Sequence, residues 1–162
     1  MSDTYFEISI NPRDDFLINH PNAFCLKPKE DISWEKTCHY IDLILEQGDG
    51  IIFFIDAERN DDQSPGKSYI EYNQWFYIHV DPRHGYKINW RLNINNPDLK
   101  DIYRNLISVN GSEEKVQFGR HDDYIRKKSI FTDYKKMRNI IKYIFDHGEV
   151  PEGMGLEFEE NS

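Results

Sequence analysis

The sequence predicts an α+β fold: a mainly antiparallel sheet with two principal helices packed on one face, in a single domain over residues 1–162. Three observations predict it. Two stretches carry apolar residues at helical spacing, one before and one after a strand-rich middle. The middle alternates apolar and polar residues between turn signals. The length, 162 residues, suits one ordinary domain, and strand, helix, several strands, helix, strand is an α+β order.

Tyr5 to Ile10 reads as a strand, with Phe6, Ile8 and Ile10 alternating with polar residues, and Asn11-Pro12 breaks it. Residues 16–32 read as irregular, because Pro21 and Pro28 forbid a long helix. The first helix follows, capped by Asp31 or Ser33, with Trp34, Cys38, Ile41, Ile44 and Leu45 on its apolar face and Gly48 and Gly50 stopping it. Ile51 to Ile55 is a continuous apolar run, expected as a central strand. Asp56 to Lys67 reads as a polar loop around Pro65-Gly66.

Two strands are expected next, Tyr69 to Tyr72 and Gln74 to Val80. The second places Trp75, Tyr77 and His79 on one face and Phe76, Ile78 and Val80 on the other. Asp81-Pro82-Arg83-His84-Gly85 turns the chain, and Lys87 to Ile94 returns, making residues 74–94 a hairpin. Asn96-Pro97-Asp98 is expected to open a short helix carrying Leu99, Ile102 and Leu106. Asn110-Gly111 is a turn and Val116 to Phe118 a further strand. The last helix is capped by Thr132, carries Tyr134, Met137, Ile140, Ile141, Ile144 and Phe145, and ends at Gly148 ahead of Pro151. Leu156 and Phe158 suggest a terminal strand.

Composition narrows the function classes. Apolar residues make up 38% and aromatics 14%, so the core is expected to be rich in rings. The net charge is −9, which repels nucleic acid and anionic membrane and favours basic partners. The longest apolar run falls far short of the roughly 20 residues that span a bilayer. Met1 to Ile10 has no secretory pattern, and Cys25 and Cys38 have no CxxC spacing, so a cytoplasmic protein with reduced thiols is expected.

Chemistry is sparse. His79, Asp81 and His84 have HxDxxH spacing, which can bring two imidazoles and a carboxylate to one metal ion and would suit a small metal-dependent hydrolase. Asp81-Pro82 and Gly85 are also ordinary hairpin-turn residues, the commoner meaning of such a stretch. His39 and Asp42 share a helix flank as a base and its orienter would, or as a solvated flank does. Phosphate-cradling, dinucleotide, nucleophile-elbow and zincin motifs are absent from the sequence. No catalysis, cofactor or metal is therefore expected.

Charge is unevenly spread. Asp146 to Ser162 holds six acids and no Lys or Arg. Asp56, Glu58, Asp61 and Asp62 surround one cation, Arg59. Arg120 to Lys142 holds eight basic residues against three acids. That basic stretch suits a nucleic-acid-binding accessory protein or, more simply, a solvated helix face.

Phe131-Thr132-Asp133-Tyr134, the helix into Ile144-Phe145-Asp146-His147-Gly148-Glu149-Val150-Pro151, and Leu156-Glu157-Phe158 form a capped helix, a Gly-x-x-Pro stop and a short acidic end. This closing segment resembles that of bacterial polymorphic-toxin and contact-dependent growth-inhibition immunity proteins, a family often encoded beside toxins that deaminate or cleave nucleic acids. The resemblance implies a non-enzymatic antitoxin that binds the C-terminal domain of a cognate toxin and blocks its active site or substrate surface. An acidic inhibitor can occupy the basic groove such toxins need, with electrostatic steering speeding capture. The expected partner-binding residues are Asp56, Glu58, Asp61 and Asp62 on the loop, with Trp75 and Tyr77 on the neighbouring strand. Trp75 and Tyr77 could instead be the core-facing half of their strand. An exposed sheet edge could also pair with the toxin or with a second copy.

Overall fold

The computed structural model describes residues 3–10, 27–28, 33–47, 50–61, 68–94, 96–119, 123–149, 151 and 153–160, with residues 3–10, 27–28, 47, 51–61 and 68–72 described by their backbone. Cys25, Asp62, the Pro65-Gly66 turn and the Asn11-Pro12 breaker lie outside them.

The fold is α+β, as the sequence predicts. Nine strands and two α-helices follow in the order β1 (Asp3–Ile10), β2 (Lys27–Pro28), α1 (Trp34–Gln47), β3 (Gly50–Asp61), β4 (Ser68–Asp81), β5 (Gly85–Leu92), β6 (Ile102–Ile107), β7 (Lys115–Phe118), β8 (Asp123–Arg126), α2 (Tyr134–His147) and β9 (Glu157–Glu160) among the described residues. Seven strands form one sheet in the order β2-β1-β3-β4-β5-β6-β9, and β7 pairs with β8 separately. Every pairing is antiparallel. The centre, β3 to β6, is a meander. On one side α1 lies in sequence between β1 and its neighbour β3; on the other, the β7–β8 hairpin and α2 lie between β6 and its neighbour β9.

The core lies between the helices and one face of the sheet. Phe76, Ile78 and Val80 of β4, Tyr86 and Ile88 of β5 and Leu106 of β6 are buried there. Alternation dictates this set, because strand residues two apart share a face. From α2, Met137, Ile140, Ile141, Ile144 and Phe145 meet it, the stripe expected from the sequence. From α1, Ile41 and Ile44 are buried with Tyr40 and Leu43. Cys38, expected on the buried stripe, is only half-buried; its place is taken by Thr37, whose hydroxyl donates to the Ser33 carbonyl at 3.0 Å. The helices meet through the Trp34 and Phe145 rings, 5.4 Å apart.

The caps follow local chemistry. Ser33 Oγ accepts the Lys36 N–H at 3.1 Å at the start of α1, and Asp133 Oδ1 accepts the Lys136 N–H at 3.0 Å at the start of α2. The cap of α2 is therefore Asp133, not Thr132, since the carboxylate is the group positioned three residues before the N–H it serves. Gly148 ends α2 in the left-handed conformation, and its N–H donates to the Ile144 carbonyl at 2.8 Å.

Three other expectations give way to strand pairing. The stretch expected as a helix around Ile102 and Leu106 is β6, paired with Asn89 to Leu92 on one side and with β9 on the other. Its apolar spacing also satisfies a strand, and the hydrogen-bond ladder decides. The expected strands at 69–72 and 74–80 are one strand, β4, with Asn73 as an extra residue opposite the Asp56/Ala57 junction. The polar stretch from Asp56 to Asp61 is not loop but the end of β3, pairing as far as Asp61 with Ser68. Cross-strand bonds override the weak strand propensity of its Asp and Asn residues.

Candidate functional site

The turn after β4 is built around Asp81, which is 1% exposed. Its carboxylate accepts the Arg83 N–H at 2.9 Å, the Arg83 guanidinium at 2.8 Å through Nη2, and the Gly119 N–H at 2.8 Å. Arg83 Nη2 also donates to the Gly119 carbonyl at 3.2 Å, so the turn holds the far end of β7. Burial pushes the Asp81 carboxyl up. The bonds from the Arg83 side chain and the Gly119 and Arg83 backbone outweigh it and leave the pKa at about 2. Gly119 has a positive φ of 77°, and a Cβ there would run into the His79 ring.

Of His79, Asp81 and His84, the two histidine rings both lie against Phe118, while the Asp81 carboxylate is turned to Arg83 and Gly119. The His79 ring meets it edge-on at 5.0 Å, and the His84 ring lies 6.4 Å away and nearly parallel. Both Asp81 oxygens are engaged in the turn. Among the described residues no group of three His, Cys, Asp or Glu side chains is placed to hold a metal ion. Of the flank pair His39 and Asp42, Asp42 accepts from Arg138 Nη2 of the other helix at 2.5 Å.

The face of the sheet turned away from the helices carries a row of rings. Trp75 and Tyr77 lie on it, half-buried, so they are not the core half of β4. Their rings are 6.4 Å apart, Trp75 meets Tyr103 of β6 at 5.5 Å, and Tyr77 meets His79 at 6.0 Å, each near-perpendicular. In the ladder, Trp75, Tyr77 and His79 pair with Ile55, Phe53 and Ile51 of β3 on one side and with Arg91, Asn89 and Lys87 of β5 on the other. Arg91 is tied to Asp101 at 2.5 Å.

Of the four acids expected on a loop beside Trp75 and Tyr77, Asp56, Glu58 and Asp61 lie along strand β3, and Asp62 lies outside the described residues. Asp56 pairs in register with Gln74, next to Trp75, whereas Glu58 and Asp61 pair with Glu71 and Ser68 beyond the bulge. There β3 and β4 pair only with each other among the described residues.

The β7–β8 hairpin covers the other end of this face. Phe118 is buried against His79, with the Lys87 ammonium 5.9 Å from its ring centre. Arg126 binds Glu159 of β9 and, at 3.4 Å, Glu113. Lys128 binds Glu113 at 2.7 Å and Lys127 binds Glu114 at 2.8 Å. Arg138 and Lys142 of α2 have Asp42 and Asp146. The basic stretch of the sequence is thus largely answered by carboxylates, some from the acidic C-terminal segment. Between hairpin and sheet lies a cleft of about 410 Å³ lined by Lys87, Asn89, Asn105, Lys115, Tyr124 and Arg126 among others. The readable sign of this cleft was the alternation of Lys87, Asn89 and Arg91 with Tyr86, Ile88 and Trp90 along β5.

Fold and site together define an α+β sheet protein with one face packed against two helices and the other carrying an aromatic row beside the β7–β8 hairpin. The chain matches no family model, no curated protein and no solved structure. Among the described residues, no helix is long and apolar enough to cross a membrane.

Proposed function

We propose that this chain is an inhibitor of the immunity type, which binds the effector domain of a cognate nucleic-acid-attacking toxin and covers its active site or substrate surface. The observation that carries this reading is the row Trp75, Tyr77 and Tyr103, on the sheet face that the helices leave uncovered. Aromatic rings held edge-to-face are rigid, and such residues dominate binding energy at protein interfaces. The net charge of −9 suits a toxin that needs a basic groove for its substrate. The resemblance of the closing segment to immunity proteins points the same way. The metal-hydrolase alternative has less support, because the Asp81 carboxylate is committed to Arg83 and Gly119.

The test is co-expression of tagged protein with the product of the gene immediately upstream. One-to-one co-elution and survival of cells carrying both genes are expected. Separate elution with no rescue overturns the reading.

A further inference from the structure

We propose that the cleft between the central sheet and the β7–β8 hairpin binds a small phosphate-bearing molecule through Lys87 and Lys115. On a chain of net charge −9, the nine residues lining this cleft include three cations and no carboxylate. Arg126 enters it already answered by Glu159 and Glu113. Among the described residues, neither Lys87 nor Lys115 has an ion pair, so the charge for a ligand falls to them.

The two lysines come from different elements. Lys87 stands on the sheet, held down by Phe118, and Lys115 is exposed on the first strand of the hairpin. A bound anion between them removes the cost of a half-buried ammonium. Burial lowers the pKa of Lys87, and Asp123 across the hairpin works against that, favouring the charged form. Two point charges suit a phosphate dianion better than a single carboxylate. Asn89, whose amide donates to the Asn105 carbonyl oxygen, and the buried Ser129 add polar groups to the wall. The volume, about 410 Å³, lies in the range of small-molecule sites and exceeds what a bare phosphate fills. Tyr124, 65% exposed, offers a flat ring against which an organic part can lie.

The test is calorimetric titration of the purified full chain with adenosine monophosphate and, separately, inorganic phosphate, at fixed ionic strength. Saturable one-to-one binding of at least one probe is expected, weakened at least about tenfold in both Lys87→Met and Lys115→Gln. Adenosine monophosphate binding more tightly than phosphate identifies an organic phosphate as the occupant; equal affinity identifies the free ion. Absence of saturable binding of both probes overturns the proposal, as does unchanged affinity in Lys115→Gln. That exposed position keeps the result readable even if Lys87→Met does not fold. The chain is tested alone, so this outcome is separate from that of toxin capture.

Discussion

The two faces of the β4–β5–β6 sheet share one backbone and differ in how their side chains are held. Toward the helices, Ile78, Val80, Tyr86, Ile88 and Leu106 are buried in a continuous core with α1 and α2. Away from them, Trp75, Tyr77, His79 and Lys87 stay half-buried, held by ring edges and by hairpin contacts. Apolar burial fixes the first face, since area removed from water scales directly into stability. The second face retains area that a partner can still remove from water, which is the physical requirement of a binding surface.

The largest expected effects separate the faces directly. Ile141→Ala, at a position with no exposure, should cost about 2–5 kcal/mol in denaturant unfolding. Tyr77→Ala, on the half-buried face, should cost roughly 1–2 kcal/mol. If the two costs proved equal, the open face would be a second core and its role as an interface would fall. On binding, the order reverses. Trp75→Ala should weaken capture of the cognate toxin by about 2 kcal/mol or more, roughly thirtyfold, with little change in fold by circular dichroism.

The Asp81 turn, which fastens the hairpin to the open face, comes next. Asp81→Asn should cost about 1.5–3 kcal/mol by weakening charge-assisted bonds from Arg83 and Gly119. Its pH signature has a definite sign. The native carboxyl has a pKa of about 2 against 3.8 for the ordinary group, so its contribution is complete above 3.8 and is lost as pH falls towards 2. Stability of Asp81→Asn should therefore fall less steeply through that window, as acid titration of the unfolding midpoint would reveal. The smallest effect is expected at the helix–helix tie: Arg138→Ala, removing an exposed partner of Asp42, should change stability by less than about 1 kcal/mol, and less still in high salt.

How far all this was legible in the sequence depended on whether a pattern was local. The stripe from Met137 to Phe145 and the hairpin around Asp81 to Gly85 rest on nearby residues, and both stood in the sequence. The stretch around Ile102 was misread because Leu99, Ile102 and Leu106 fit a helical period; Leu99 is in fact 55% exposed and the pairing with Asn89 to Leu92 prevails. Such pairings are set by distant strands, which periodicity does not see. For the candidate site, alternation put Trp75 and Tyr77 on one face of β4. Both faces of that strand are bulky, however, and only the position of the helices decides which is core. The partnership of Lys87 with Lys115 was invisible, because the hairpin's placement depends on Asp81, Gly119 and the Arg126–Glu159 pair.

The Asp81 corner also bears on the order in which the chain assembles. The β4–β5 hairpin closes through a short turn, whose formation takes microseconds. The Gly119 bond to Asp81 spans 38 residues, and the 2.9 Å bond from the Tyr86 hydroxyl to the Asp133 carbonyl spans 47. Closing such long loops carries a greater entropy cost, so these ties form after the hairpin they grip. In hydrogen exchange, the amide of Gly119 should therefore gain protection later during refolding than those of Ile78 and Ile88, so the corner that positions the open face sets only after the hairpin beneath it.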